Sequence, residues 1–193
     1  MLTSKATDSP VFQIDFDSRK LRPTHDTHLS VDCTDCHIQQ KGPIFASHKL
    51  KKKSALRYEI AVGIISGDIK WINGPYPAGK YSELTIFCEC LQFNIDVGER
   101  VEADDGYRGD PTIFRVPADV LTRSGEEADA MQKRVQGRHE TVNARLKNFA
   151  ILRERFRHDE TQHGYIFRAV AAIVQLAIQN GDPLYKVDYK VVF

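Results

Sequence analysis

Two acids fall where strand-like segments carry polar side chains. Asp32 lies in Leu29-Ser30-Val31-Asp32-Cys33-Thr34, and Asp104 ends Arg100-Val101-Glu102-Ala103-Asp104. If those strands are parallel neighbours, the two carboxylates lie side by side. Carboxylates in contact repel and raise a pKa unless a cation neutralises them. A divalent ion does this, and Mg2+ favours a few carboxylates with several waters retained. Paired ions clamp the attacking and leaving oxygens of an in-line phosphoryl displacement. A third acid, Glu140, stands on a helix otherwise rich in arginine, with Gln136, Gly137, Asn143 and Ala144 at its three- and four-residue neighbours. It has no intrahelical ion-pair partner. Gly137, one turn away, is a poor helix former that costs about 1 kcal/mol relative to Ala.

The charge is distributed in a way that suits the same chemistry. The 193 residues contain 27 Lys+Arg and 26 Asp+Glu, for a net charge of +1. That average argues against a nucleic-acid partner, which usually leaves a basic footprint. The distribution reverses the inference. Residues 94–130 hold ten acids against four arginines, while residues 133–157 hold eight bases against Glu140 and Glu154. A basic helix beside an acidic metal pocket is what a phosphodiester substrate needs: cations hold the backbone and metal holds the scissile phosphate. The alternative is that the two segments simply pair with each other.

Several elements must position these residues. Alternation of Leu29, Val31 and Cys33 with Ser30, Asp32 and Thr34 predicts a strand. Leu56 to Ile65 predicts a second, and Ile69 to Ile72 a third beyond the turn Ser66-Gly67-Asp68, which makes an antiparallel meander. Ser82 is an N-cap for a helix carrying Leu84, Phe87 and Leu91. The strand around 100–104 joins the sheet parallel to the first through that crossover. Helices are expected from about Asp129 to Asn148, with the stripe Met131, Val135, Val142, Leu146 and Phe149, and from about Thr161 to Asn180. The latter is apolar almost all round, the pattern of a helix buried in a core. A short strand is expected near Ile151 or within 185–191. The basic run Lys49, Lys51, Lys52 and Lys53 reads as a solvated loop tip. The hydrophobic content of 41% excludes a disordered tail, and no stretch of 18 uncharged apolar residues is available to span a membrane. Met1-Leu2-Thr3-Ser4-Lys5 lacks the apolar run of a signal peptide, so a reducing intracellular compartment is the expectation.

These residues together resemble the DDE superfamily endonucleases, and within them transposases of the Harbinger type, over about Ser30 to Lys190. Val31-Asp32-Cys33-Thr34-Asp35 looks like the family's first-strand Asp-Gly-Thr motif, with Cys33 where Gly is usual. Leu56-Arg57-Tyr58-Glu59 and Trp71-Ile72-Asn73-Gly74-Pro75 resemble its hairpin, and Ala103-Asp104-Asp105-Gly106-Tyr107 its Asp-x-Gly-Tyr motif. Arg138-His139-Glu140-Thr141-Val142-Asn143, followed by Leu146-Lys147 and Ile151-Leu152, resembles its final block. The 35 residues between Asp104 and Glu140 form a gap typical of DDE enzymes.

The resemblance implies an α/β, RNase H-like mixed sheet flanked by helices, in which a three-strand antiparallel meander is joined by a parallel strand. It implies metal-dependent cutting and joining of DNA in the nucleus. Asp32, Asp104 and Glu140 would be the catalytic acids holding Mg2+ or Mn2+, with Asp105 a lesser candidate. Lys51, Lys52, Lys53, Arg134, Arg138, Arg145 and Lys147 would face DNA. The domain would span 28–193, and the polar arm 1–27 would be the remnant of a missing DNA-binding module. Partners are then DNA, a separate protein supplying target specificity, and a second copy in a homo-oligomer, with no membrane.

Other readings remain. One is a domesticated, non-catalytic DNA- or protein-binding module, and another is a nuclease for RNA–DNA hybrids. Cys33-Thr34-Asp35-Cys36-His37 matches the c-type haem attachment pattern, and Cys33, Cys36, Cys88 and Cys90 would be needed for zinc. Glu83 reads as an ordinary first-turn acid, and His158 and His163 as structural histidines.

Overall fold

The structure, a computed structural model, describes residues 14–21 and 25–189, without the side chains of 117–129. Residues 1–13, 22–24 and 190–193, which include most of the expected arm, lie outside the described residues. The alternation around Asp32 belongs to a longer strand, β1 (Thr27–His37). It pairs antiparallel with β2 (Ala55–Gly63), with Asp32 opposite Ile60. β2 pairs antiparallel with β3 (Ile69–Pro77), which continues through Asn73-Gly74-Pro75. Ser82 caps α1 (Glu83–Glu89), its side chain accepting from Thr85 N at 3.0 Å.

The chain then returns as β4 (Arg100–Ala103), parallel to β1 with Val31 opposite Ala103. A two-residue strand, β5 (Phe114–Arg115), lies parallel to β4. It is too short to leave an alternating pattern and was not expected from the sequence. The resulting sheet has the order β3-β2-β1-β4-β5. This is the RNase H-like mixed sheet with a meander and parallel strands. Continuing the β1–β4 register by one residue sets Asp32 opposite Asp104.

Both faces of the sheet are covered. Leu29, Val31, Cys33, Ala61, Val101 and Ala103 pack under Ile86 and Phe87 of α1, under Leu91 of the 3-10 turn that follows it, and under Tyr107 and Phe114. The other face packs Cys36, Ile38, Tyr58, Ile60 and Val62 against α2 (Pro117–Lys147) and α4 (His163–Gln179). α2 begins twelve residues before the expected Asp129, with a proline in its first turn, where the missing N–H costs nothing. Ile151 lies in a single turn, α3 (Ala150–Arg153), and no strand forms at 185–189. α4 is not buried all round: Phe167, Val170, Ala171, Val174 and Ile178 face the sheet, but Tyr165 and Ile173 are 74% and 49% exposed. His163 is fully buried, its Nδ1 2.7 Å from Tyr58 Oη, as expected of a structural histidine.

Part of the polar arm is docked. Arg19, in a short 3-10 turn (Asp17–Arg19), is buried and makes paired bonds of 2.9 and 2.8 Å to Glu99. Phe16 lies against Trp71, ring centroids 5.6 Å apart.

Two proposed DNA contacts turn inward. Arg138 is 1% exposed and donates to the backbone oxygens of Ile64, Gly63 (3.4 Å) and Tyr185 (2.9 Å). It therefore ties α2 to the β2–β3 turn and to the C-terminal tail, and is not presented to a ligand. Gly137 beside it makes room for Tyr185, whose hydroxyl would lie 2.6 Å from an added Cβ. Lys147 Nζ donates to Asp35 O (2.8 Å) and Leu152 O (3.2 Å) and lies 3.0 Å from Cys36 Sγ. Both cations are held where burying a carbonyl without a donor would cost free energy.

Arg138→Met strands three carbonyls and should lower the unfolding free energy in urea by about 3 kcal/mol, whereas exposed Arg134→Ala should stay within about 0.5 kcal/mol. Equal small effects would show that Arg138 is not structural.

Candidate metal centre

Asp32, midway along β1, and Asp104, the residue that follows β4, come together where the parallel β1–β4 pairing ends, each on the sheet face that α2 covers. The Asp104 carboxylate is fixed by its own turn: Oδ1 accepts from Gly106 N at 2.9 Å. Asp32 Oδ1 accepts from Cys33 N at 2.7 Å, and Oδ2 from Asn143 Nδ2 of α2 at 3.3 Å. A third carboxylate arrives over the sheet edge from the opposite layer. Glu83 opens α1 and is buried, and one ligand oxygen from each of Asp32, Glu83 and Asp104 lies within 4.8 Å of the others. The sequence allows Glu83 to sit close to the pocket but reads it as an ordinary first-turn acid. Its signal was the Ser82 cap, which fixes where the helix starts, but not that the start overhangs β1.

Glu140 is exposed on α2 and lines, with Asp32 and Asp104, one cavity of about 120 Å3. It lies beside the three-acid group rather than within it. The expected triad therefore lines one cavity, and Glu83 joins Asp32 and Asp104 from outside that lining. Asp105 points outward, pairing with Arg108 at 3.5 Å with both side chains more than half exposed.

α2 is held over this cavity by polar residues as much as by its apolar stripe. Gln132 donates to Glu102 Oε2 (2.6 Å) and Arg115 O (2.5 Å), and Gln136 to Ala103 O (3.2 Å). His139 Nε2 lies 2.8 Å from Ser30 Oγ, and Asn143 reaches Asp32. Positions 132, 136, 139 and 143 share one helix face. Burial lowers the pKa of His139 and favours the neutral ring.

Two of these acids, Asp32 and Glu83, share a cation. Lys49 Nζ lies 2.6 Å from Glu83 Oε1 and 3.2 Å from Asp32 Oδ1, and donates to Cys33 O at 2.7 Å. Burial opposes its charge, yet the two carboxylates hold the ammonium above the usual lysine range. The same balance acts on Glu83: burial raises its pKa, Lys49 opposes the rise, and Asp104 and Asp32 reinforce it. Lys49 is exposed, as Lys51, Lys52 and Lys53 are, but its ammonium is engaged by two carboxylates rather than free at the loop tip. Arg134 is exposed as well, and Arg145 is tied to Asp182 at 2.6 and 3.0 Å.

Cys33 does not crowd Asp32. Strand alternation sends it to the α1 face, where its Sγ is 3.3 Å from Tyr107 Oη. Cys36 faces the other layer, toward Lys147. Neighbours on opposite sheet faces cannot share a haem or a zinc ion, and among the described residues the one metal-compatible group is Asp32, Glu83 and Asp104. Behind that group Glu59, opposite Cys33 on β2, is fully buried and accepts from Trp71 Nε1 at 3.0 Å. Its second oxygen has no partner. Burial chiefly pushes its pKa up to about 8, and nearby Glu83 adds to the rise.

Two outcomes follow from this geometry. At Gly106 an added Cβ would lie 2.5 Å from Glu83 Oε2 and 2.9 Å from Asp104 Oδ1. Gly106→Ala should therefore displace two carboxylates and weaken Mn2+ binding in calorimetry by at least about tenfold, the lower end for disturbing a ligand's support; unchanged affinity would contradict the site. Glu59 gives the second. Between its ordinary 4.5 and about 8, the folded chain retains a proton that the unfolded chain releases, so stability falls as pH rises through that window. Glu59→Gln should flatten this fall and exceed the parent at pH 8 by on the order of a few kcal/mol. Parallel stability curves for the two proteins would refute it.

Searched against protein-family models, curated proteins and solved structures, the chain matches none of them.

Proposed function

We propose that the chain is a metal-dependent DNA endonuclease domain of the DDE type, with the Harbinger-type transposases as the family whose motifs it resembles. One observation carries the reading: Asp32, Asp104 and Glu140, from three separate elements of an RNase H-like sheet and its covering helix, line a single cavity. Asp32 and Asp104 would hold Mg2+ or Mn2+, with Glu83 and Glu140 as further carboxylates. The donor set fits such an ion, being all oxygen, carboxylate-rich and within reach of water. Those carboxylates would hold the ion, and the chemistry it would supply there is charge neutralisation of phosphoryl oxygens and activation of water.

The chain's own residues would do the rest. Asn143 orients Asp32, and the Gly106 amide orients Asp104. Neutral His139, held on Ser30, fixes the helix that carries Glu140. Of the expected DNA contacts, Lys51, Lys52, Lys53 and Arg134 are exposed and would take backbone phosphates, which position a duplex without reading its sequence. Specificity is then assigned to a separate DNA-binding partner.

The test is nicking of supercoiled plasmid in Mn2+ or Mg2+, beside an RNA–DNA hybrid. The purified chain should convert plasmid to open circles. Asp32→Asn, Asp104→Asn and Glu140→Gln should each reduce this by more than about 100-fold, the upper end for residues that merely support a ligand. Cleavage of the hybrid alone would favour an RNA nuclease. Retained DNA binding without cleavage in either metal would favour the non-catalytic module.

A further inference from the structure

The loop that carries Lys49 is built to present one ammonium to the acidic cluster while keeping its base fixed. Ser47 closes it: Ser47 N donates to Lys53 O at 2.9 Å, and Lys52 N donates to Ser47 O at 2.7 Å. Ser47 Oγ donates to Asp35 Oδ2 at 2.5 Å and accepts from Leu50 N at 2.9 Å. Asp35 is itself gripped by Arg57 at 2.8 and 2.9 Å, both side chains being buried. Lys51 and Lys52 take left-handed φ values of 51° and 68°, which non-glycine residues adopt uncommonly. The tip therefore curls back, leaving Lys51 to Lys53 in solvent and Lys49 over the carboxylates.

Lys49 sits on two of the three carboxylates that a metal would need. It takes Glu83 Oε1 and Asp32 Oδ1, the latter already accepting from Cys33 N. A divalent ion sits at 2.0–2.6 Å from oxygen, so ion and ammonium on the same two carboxylates would repel at short range. The lysine stem is flexible with a compact terminal charge, and the base that anchors it does not have to move.

We infer that Lys49 is a displaceable counter-cation: it neutralises Asp32 and Glu83 until a divalent ion binds, then swings out beside Lys51 to Lys53 to hold a phosphate of the nucleic acid. This rests on the metal reading of the same site. It makes metal loading and phosphate capture one event, because the ion that completes the acidic pocket also releases a cation at its rim.

The test labels the intact chain with an amine-acylating ester at fixed pH and ionic strength. Lys49 and Lys51 to Lys53 are read by peptide mass spectrometry while Mn2+ is raised, and Mn2+ binding is measured in parallel by calorimetry. Labelling of Lys49 should rise several-fold along the binding curve, with Lys51 to Lys53 changing little. Lys49→Met should bind Mn2+ about tenfold more tightly, since a competing charge has gone. If Mn2+ binds the parent and Lys49 labelling stays constant, the displacement is wrong and the metal site stands. Binding only to Lys49→Met would show a lysine that excludes the ion rather than yielding to it, which also overturns the displacement. If neither protein binds Mn2+, the metal reading and the displacement fall together.

Discussion

Like charges packed together set the terms for this fold. Asp32, Glu83 and Asp104 present oxygens within 4.8 Å of one another, two of them half-buried and one buried. Such an arrangement is unfavourable without a cation, because burial and mutual repulsion both favour the protonated forms. The surrounding structure answers that cost locally. Lys49 provides positive charge, the Gly106 and Cys33 amides donate to two of the carboxylates, and Asn143 donates from the covering helix. Gathering acids here works against stability, and that cost is what motivates the proposed metal site.

The rigidity that the cluster needs comes from buried polar contacts around it rather than from apolar packing alone. Glu102, next to the site on β4, is bound by Arg115, Gln132 and Tyr189, which joins β4, β5, α2 and the C-terminal tail. Arg57 and Asp35 fix the base of the Lys49 loop, and Arg19 and Glu99 pin residues before β1 to those before β4. Each is a buried pair whose partners lose their compensation if one is removed. They surround the middle of β1 and the carboxyl end of β4, where the sheet must place Asp32 and Asp104 side by side.

Much of this was legible from residues. Alternation around Asp32 and the meander gave the sheet, and the strand after a capped helix implied parallel pairing, hence the meeting of Asp32 and Asp104. What could not be read depends on chain segments approaching from different layers. Glu83 looks like any first-turn acid until α1 is seen to overhang β1, and Lys49 looks like one of four solvated lysines until Ser47 and Asp35 curl the loop. Arg138 and Lys147 have the composition of a DNA-facing helix, but helical phase turns them toward backbone carbonyls. The polar face of Gln132, Gln136, His139 and Asn143 was hidden because a sheet edge of acids and carbonyls, not an apolar core, lies beneath it. β5 left no trace because two residues carry no period.

The central claim is that the acidic cluster takes a divalent metal. Anomalous diffraction at the manganese edge from crystals soaked in Mn2+ tests it most directly. The account predicts a peak bonded to Asp32 and Asp104, with the Lys49 ammonium withdrawn from Asp32 and Glu83. A map with no peak in the cluster, and Lys49 still seated on both carboxylates, would contradict it.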